Sequence, residues 1–412
     1  MIKKTALFIM PRSSKSWKGA EALWITAAGW AAAAEMMWNH SLVGTTDTVV
    51  KANEVLSYPV ISNSSSSIKI NKGWKSRIIP QILITAIKDW KLNRSQPKIW
   101  PFEKVIDSDD YEVQFIWEQH DLFKGPGKRI ATKLNVPLVL YVHAPVVWEA
   151  AKWGVKRPIW GYLLEKYVEA KNLKEANLIA CVSEDVKQQV IKMGIDESKI
   201  VIAPMSVDGC LFNPLISGKE IRKVHKIEDK ILIGWTGSFR VFHGLDKVIH
   251  SFDHLSKEND KVVLMLVGEG QWFDKIKKLV AQLRLEEKVI FIGKKPFIEV
   301  PKYVAAFDIA LVSSNSSEGF HYSPLKLREY LACGKACIAP MAGDLPNLFK
   351  DNEEVVFYNP DVENSLYEKM TLLVNNEGLR NKLSENMIKI FQSEGTWLHE
   401  LKKVCDILNI VY

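Results

Sequence analysis

The back half of the chain alternates short, near-continuous apolar runs with amphipathic stretches. The runs are ILIGW (231–235), VVLMLVG (262–268), VIFIG (289–293), IALVS (309–313) and ACIAP (336–340), and between them SFDHLSKEN, FDKIKKLVAQLRL, VPKYVAAF and PLKLREYLACG repeat apolar residues at intervals of three and four. A run without polar alternation is a strand buried on both faces, and such strands separated by helices make a parallel sheet with helices on each side. The pattern predicts a Rossmann-like lobe. The front half repeats it more loosely, with strands at TALFIM (5–10), VQFIW (113–117), LVLYVH (138–143), LIACVS (178–183) and IVIAP (200–204), and helices around 19–38, 76–93, 158–176 and 184–193. A second α/β lobe is expected, with MSVDGCLFNPLISGK (205–219) as connector.

Residues 361–412 read as successive helices. In the last one Trp397, Leu398, Leu401, Val404 and Leu408 form an apolar stripe that has to dock, and the front lobe is the expected place. The expected divisions are 1–205, 206–390 and a returning helix in 391–412. Residues 52–75, rich in Ser, Asn and Lys, read as a loop.

Composition narrows the class. A chain of 412 residues exceeds what one core holds, since single cores stop growing near roughly 250–300 residues. With 47% hydrophobic and 25% charged residues and a mean hydropathy of −0.06, disordered and fibrous classes are excluded. Five cysteines, Cys181, Cys210, Cys333, Cys337 and Cys405, show no paired CxxC spacing, so a reducing, cytoplasmic setting is expected without a disulfide framework or zinc site. No apolar run approaches the roughly 18–20 residues of a membrane span. The net charge of +7 favours an anionic partner such as a nucleotide diphosphate or an acidic lipid. No nucleic-acid module is present, so nucleic acid is not an expected partner.

The densest chemical signal is EGFHYSPLKLREYLACGK, Glu318 to Lys335. Ser323 as N-cap and Pro324 at the first helical position start a helix, and Gly334 stops it. Leu327, Tyr330 and Leu331 share a core-facing side, whereas Lys326, Glu329 and Cys333 share a second face expected to look outward, toward the cleft or solvent. A lysine in the first turn opposes the helix macrodipole unless an anion lies between them, and a phosphate at this N-terminus would provide one. Glu329, one turn on, can accept hydrogen bonds from a sugar diol. A surface Lys–Glu pair is the plain alternative. GWTGSFRVFHG (234–244) follows a strand directly, with Gly234, Gly237 and Gly244 and with cations at Arg240 and, when protonated, His243, a composition suited to clamping phosphate. The spacing is not GxGxxG, which disfavours a dinucleotide dehydrogenase. VGEG (267–270) alone is a weak motif.

Taken together, GWTGSFRVFHGLD, LMLVGEG, VIFIGKK, FDIALVSS and SPLKLREYLACGKACIA, with WKGAE, LNVPLVLYVHAP, EANLIACVSEDVKQQVIKMGI and KIVIAPMSVDGCLFNP in front, resemble the retaining GT-B-fold glycosyltransferases of family 4 over nearly the whole chain. The resemblance implies two Rossmann-like domains facing across a cleft. The front domain would bind the acceptor and the back domain a nucleotide sugar, with the last helix crossing to the front domain. It implies that Glu329 binds the donor ribose and that Arg240 and Lys326 hold the diphosphate. Backbone amides around Tyr322, Ser323, Pro324 and Leu325 would complete that pocket, Gly19 would lie by the diphosphate and sugar, and His143 beside the sugar; a satisfied core histidine is the alternative for His143. No cofactor and no metal ion are implied, and the acidic run DSDD (107–110) reads as a solvated turn. Two positions depart from the family. Its two glutamates lie eight apart, yet eight before Glu329 stands His321, with Glu318 three positions earlier; and His243 replaces the usual lysine. A weakened, scaffolding relative that only binds nucleotide sugar or a partner is the competing expectation.

The acceptor implied is a glycan or a lipid-linked sugar. Residues 68–94 combine Lys69, Lys72, Lys75, Arg77, Lys88, Lys91 and Arg94 with Trp74, Ile78, Ile79, Ile82, Leu83, Ile87 and Trp90, a basic amphipathic stretch suited to an anionic membrane surface. An ordinary helix whose apolar face packs on the sheet is the alternative.

Overall fold

The computed structural model describes residues 3–14, 21–50, 80–94, 97–106, 110–123, 125–318, 320 and 324–412. The chain divides into two compact units, Met1–Pro204 with Glu400–Tyr412, and Met205–His399. The final helix, Trp397–Ile407, therefore begins in the second unit and ends in the first.

The first unit is built on a seven-stranded sheet. Its strands are β1 (Lys3–Ile9), β2 (Leu42–Gly44), β3 (Val49–Val50), β4 (Tyr111–Gln119), β5 (Leu138–Val142), β6 (Leu178–Cys181) and β7 (Ile200–Ile202), ordered β3-β2-β1-β4-β5-β6-β7. All neighbours are parallel except β2 and β3. The helix Glu21–Trp38 crosses from β1 to β2. It is apolar nearly all round, and it buries Trp24, Trp30 and five alanines, so it is a core helix, not an amphipathic one.

The second unit carries β8 (Ile231–Thr236), β9 (Val262–Val267), β10 (Val289–Gly293), β11 (Ile309–Leu311), β12 (Ala336–Pro340) and β13 (Val356–Tyr358), all parallel, ordered β10-β9-β8-β11-β12-β13. Each face of this sheet has its own core. One side packs Leu232, Met265, Phe307, Leu327 and Tyr330, and the other Ile233, Trp235, Leu264, Phe252 and Met370. Two faces covered explain why these strands read as unbroken apolar runs. The ten strands expected from sequence are all present; β2, β3 and β13, of two or three residues each, are too short for a period to register.

The stretch expected to be helical over 158–176 is one helical run, Trp160–Lys174, with a π-turn at Glu165–Glu169 inside it. The expected loop 52–75 lies outside the described residues.

Candidate functional site

In an open parallel sheet, ligands bind beyond the carboxyl ends of the strands where the strand order reverses. In the second unit that point lies between β8 and β11. β8 runs into Gly237, whose φ of 143° is open to glycine and strained for other residues. A Cβ there would stand 2.7 Å from the Lys326 amine. The glycine turn after β9 packs against it: Gly268 has φ 135°, and a Cβ on it would strike the Gly237 carbonyl oxygen at 1.9 Å. VGEG, weak as a motif, is one wall of the turn after β8.

The second wall is the helix Leu325–Ala332. Its Tyr330 hydroxyl accepts the Thr236 amide at 2.7 Å and lies 2.9 Å from the Thr236 hydroxyl, bolting the helix to the end of β8. Two corrections to the sequence reading arise here. The helix starts one residue later than expected, with Pro324 extended in the cap position (ψ 112°) and no capping side chain; proline fixes φ alone, and tertiary context sets ψ. The face shared by Lys326, Glu329 and Cys333 is turned inward, not outward. Glu329 is only 6% exposed. At one end of this face Lys326 lies against the Trp235 ring and the Gly237 turn, and at the other Cys333 belongs to the core that includes Met387 of the helix Glu377–Ser393.

Lys326 is half-buried, but its terminal amine is sealed from solvent and donates no hydrogen bond to a described residue. It lies 4.1 Å from the centroid of the Trp235 ring, a cation–π contact with the strand below. Burial pulls its pKa down to about 7, opposed by Glu329, and burial pushes the Glu329 carboxyl up to about 7, opposed by Lys326. The surface-pair alternative is thereby corrected as well: the two are buried and within electrostatic reach, and the amine does not donate to the carboxylate.

Arg240 is exposed on the loop after Gly237. His243 is buried, 5.5 Å from the Trp235 ring, and burial, with Lys326 and Arg240 nearby, drags its pKa to about 2. It is not a cation. Its bond to the Ser313 backbone instead ties the loop after β8 to the end of β11. Gly244 supports the same junction, since a Cβ there would meet the Ser314 carbonyl at 2.8 Å. Glu318 is exposed, its amide donating to Ser316 Oγ on a loop that Asp361 fastens through Ser316 and Ser317. It forms no ion pair with another described residue. Gly19, His321, Tyr322, Ser323 and residues 107–109 lie outside the described residues.

In the first unit the order reverses between β1 and β4, and Arg12 and Asp121, just past these strands, pair at 3.0 Å across that point. His143 follows β5. Its ring meets Tyr141 edge-on at 4.9 Å, and its sealed Nε2 has no partner among the described residues. Burial lowers its pKa to about 4, opposed by Glu149 and assisted by Arg12, so the imidazole is neutral near pH 7. The backbone three residues further on is held by Glu169. This fully buried carboxylate pairs with His120 Nε2 at 2.9 Å and accepts the amides of Val146 and Val147, the start of the helix Val146–Lys152. The π-turn ending at Glu169 is the kind of helix irregularity that marks functional positions.

Sequence reasoning passed over Arg12, His120, Asp121 and Glu169, and read Tyr330 only as a core residue, without its bond to Thr236. For the first three a signal existed, because each stands directly beyond the carboxyl end of a predicted parallel strand. Glu169 and Tyr330 gave none, their partners being 49 and 94 residues away.

Comparison with known proteins bears on the family and the fold. A Glycosyltransferase Family 4 model matches residues 65–208, and a Glycosyl transferases group 1 model matches residues 217–390. Alpha-monoglucosyldiacylglycerol synthase of Streptococcus pneumoniae is 25% identical over 358 residues, covering 83% of this chain and 77% of that protein. An uncharacterized glycosyltransferase of Methanocaldococcus jannaschii, MJ1069, is 23% identical over 244 residues; the match spans 59% of this chain and 60% of that one. Among solved structures, Anabaena Alr3699/HepE in complex with UDP and glucose superimposes with a TM-score of 0.65 over 100% of both chains at 16% identity, a likeness of fold. The chain belongs to the group 1, family 4 glycosyltransferases and has their GT-B fold.

Proposed function

We propose that the protein transfers a hexose from a UDP-sugar to a lipid-linked or glycan acceptor, with retention of anomeric configuration and with fixed cations, not a metal ion, neutralising the leaving diphosphate. The observation that carries this is the Lys326 amine, sealed from solvent beside the Gly237 turn and without a hydrogen-bond acceptor among the described residues. An unsatisfied buried amine costs stability, so its retention makes sense where an anionic ligand completes it.

The chemistry follows the charges. As the bond between the anomeric carbon and the phosphate oxygen breaks, its electron pair goes to the diphosphate, where Lys326 and the Arg240 guanidinium meet the growing negative charge. The acceptor oxygen forms its bond on the face the diphosphate leaves, and the departing diphosphate oxygen takes the acceptor proton. Glu329 receives hydrogen bonds from the ribose diol. His143, neutral at pH 7, is able to accept or donate one hydrogen bond to the transferred sugar without adding charge. UDP is proposed as the nucleotide because the HepE neighbour is solved with UDP and glucose; a lipid-linked acceptor is proposed because the synthase it resembles is named for a glucosyldiacylglycerol product.

A thermal-shift series with UDP-, GDP- and ADP-sugars tests the reading. A specific ligand at 100 times its dissociation constant stabilises by about 2.7 kcal/mol, and UDP-sugars are expected to give the largest shift. No shift with any nucleotide sugar would sink it. His143→Ala is expected to abolish turnover while leaving the UDP shift in place.

A further inference from the structure

We propose that one face of the first unit docks onto an anionic lipid bilayer, using the exposed side chains of the helix Gln81–Arg94 and of the segment Trp153–Tyr167. The starting observation is a helix whose polarity is reversed. Surface helices bury an apolar stripe and expose a polar one. In Gln81–Arg94 the buried residues are Thr85 and Asp89, one turn apart, while Ile82, Leu83, Ile87 and Trp90 are exposed, Trp90 by 54%. Leu92 is the apolar residue that reaches the small core of Leu122, Phe123 and Val147.

What holds the helix in this orientation is its carboxylate. Asp89 accepts Arg157 Nε at 2.8 Å and Nη2 at 3.0 Å, and Trp160 Nε1 at 3.2 Å. The segment so clamped is itself turned outward. Trp153, Ile159, Tyr162, Leu163 and Tyr167 are exposed, Ile159 by 84%. Two elements joined by this ion pair each leave large apolar residues exposed, and exposed apolar residues concentrated in linked elements point to an interaction surface.

The charges decide what it meets. Lys88, Lys91, Arg94, Lys152, Lys156 and Lys166 are exposed, whereas Asp89 and Glu169 are buried in pairs and Glu149 and Glu165 are half-buried, so the outward charge is positive. The cations sit on the aromatic rings: Arg94 is 4.3 Å from the Trp90 centroid, and Lys166 lies 5.5 Å and 5.4 Å from Tyr162 and Tyr167. Protein interfaces deplete lysine from their apolar centre. A bilayer interface favours the mixture, with rings at headgroup level, aliphatic side chains below and ammonium groups on phosphates. No described helix is long and apolar enough to cross a membrane, so the contact is a surface one. The inference extends the stretch 68–94 to a second element, and for its purpose, bringing the site to its acceptor, it rests on the lipid-linked reading above.

The test is flotation of the full chain with vesicles of phosphatidylcholine alone and of phosphatidylcholine mixed with phosphatidylglycerol, at low and high salt. Binding is expected to the mixed vesicles, weakening as salt rises. Lys91→Ala should lower the partition coefficient roughly fivefold. The double variant Ile87→Ser with Trp90→Ser should lower it at least about tenfold, with an unchanged melting temperature because both side chains are exposed. Absence of flotation with the mixed vesicles at low salt, or equal flotation of the double variant, overturns the proposal. So does a concentration-dependent dimer of the parent that the double variant abolishes without any flotation. UDP titration of the same samples separates the two readings: lost flotation with intact UDP binding removes the membrane face alone, and intact flotation without UDP binding removes the donor reading alone.

Discussion

Asp89 in the first unit and Lys326 in the second are both charged residues on helices, and both are turned inward. Asp89 is filled: a guanidinium binds it in two places and an indole N–H in a third. Lys326 lies against an indole face with nothing to receive its protons among the described residues. A buried charge that serves the fold is satisfied within the fold, because leaving it open costs several kcal/mol, on the order of 3–5 for a broken buried pair. A buried ammonium with no acceptor among the described residues is a place where an anionic ligand would recover that cost. The same contrast separates Glu169, which collects His120 and two backbone amides, from His143, whose Nε2 has no partner among the described residues.

The sharpest way to break this comparison is at Asp89. Asp89→Ala leaves Arg157, only 11% exposed in its side chain, without its counter-charge, and is expected to destabilise by about 3–5 kcal/mol in a denaturant titration. Replacing both members, Asp89→Leu with Arg157→Met, should recover most of that loss, since well-packed apolar residues can substitute for a buried pair. A single variant as stable as the parent would show that the clamp does not hold the reversed helix.

Lys326→Met is expected to act in the opposite sense. The empty protein should gain about 1 kcal/mol, because a buried donor without acceptor is removed, while UDP-sugar affinity falls by about 1.5–3 kcal/mol. Asp89→Ala would leave donor affinity alone. Equal stability of Lys326→Met and parent, measured without ligand, would mean that the amine is satisfied by a group outside the described residues.

How much of this was readable beforehand can be judged from the same residues. The strands of the second unit were legible because both faces of their sheet are covered, so that a run such as VVLMLV has no polar phase to confuse it. The pairing of Lys326 with Glu329 on one helical face was legible from their spacing of three. That this face points inward was not: Lys326 is covered by Trp235 and the Gly237 turn, some ninety residues earlier, and periodicity says which residues share a face, not which face is buried. The helix Gln81–Arg94 taught the same lesson in reverse. Its apolar stripe was visible, and the ordinary expectation was that it packs on the sheet. The deciding partner of Asp89 is 68 residues away.

Titration offers a finer test of the open charge. The folded pKa of Lys326, about 7, lies below the ordinary 10.5, so between these values the unfolded chain holds the extra proton and this group's contribution to stability rises with pH. Glu329 is raised from 4.5 to about 7, so the folded chain holds the extra proton in that window and its contribution falls as pH rises. The pair is therefore least favourable near pH 7 in the empty protein. A diphosphate arriving above that pH should restore the ammonium, and calorimetry in buffers of different ionisation enthalpy should record proton uptake on UDP binding at pH 8, absent in Lys326→Met. Binding without proton uptake in the parent would place the charged partner of the diphosphate elsewhere.

The smallest effect is expected at Ile159. This β-branched residue has φ 59° and ψ −61°, and the Trp160 amide donates to the Pro158 carbonyl at 2.6 Å, which makes it the centre of a γ-turn of the rare, strained hand. Strain of this kind costs on the order of 1–3 kcal/mol, and it persists where the surroundings over-determine it. Here they do, because Arg157 is fixed by Asp89 on one side of the turn and Trp160 on the other. The turn pushes an isoleucine almost wholly into solvent, which gains nothing for a protein that stays in water. Ile159→Gly should accordingly raise stability by about 1 kcal/mol, the lower end of that range, since glycine also gives up backbone freedom on folding. If the exposed face meets a bilayer, the same substitution should weaken vesicle binding while it strengthens the fold. A gain in stability with unchanged flotation would leave the strain real and take Ile159 out of the docking surface.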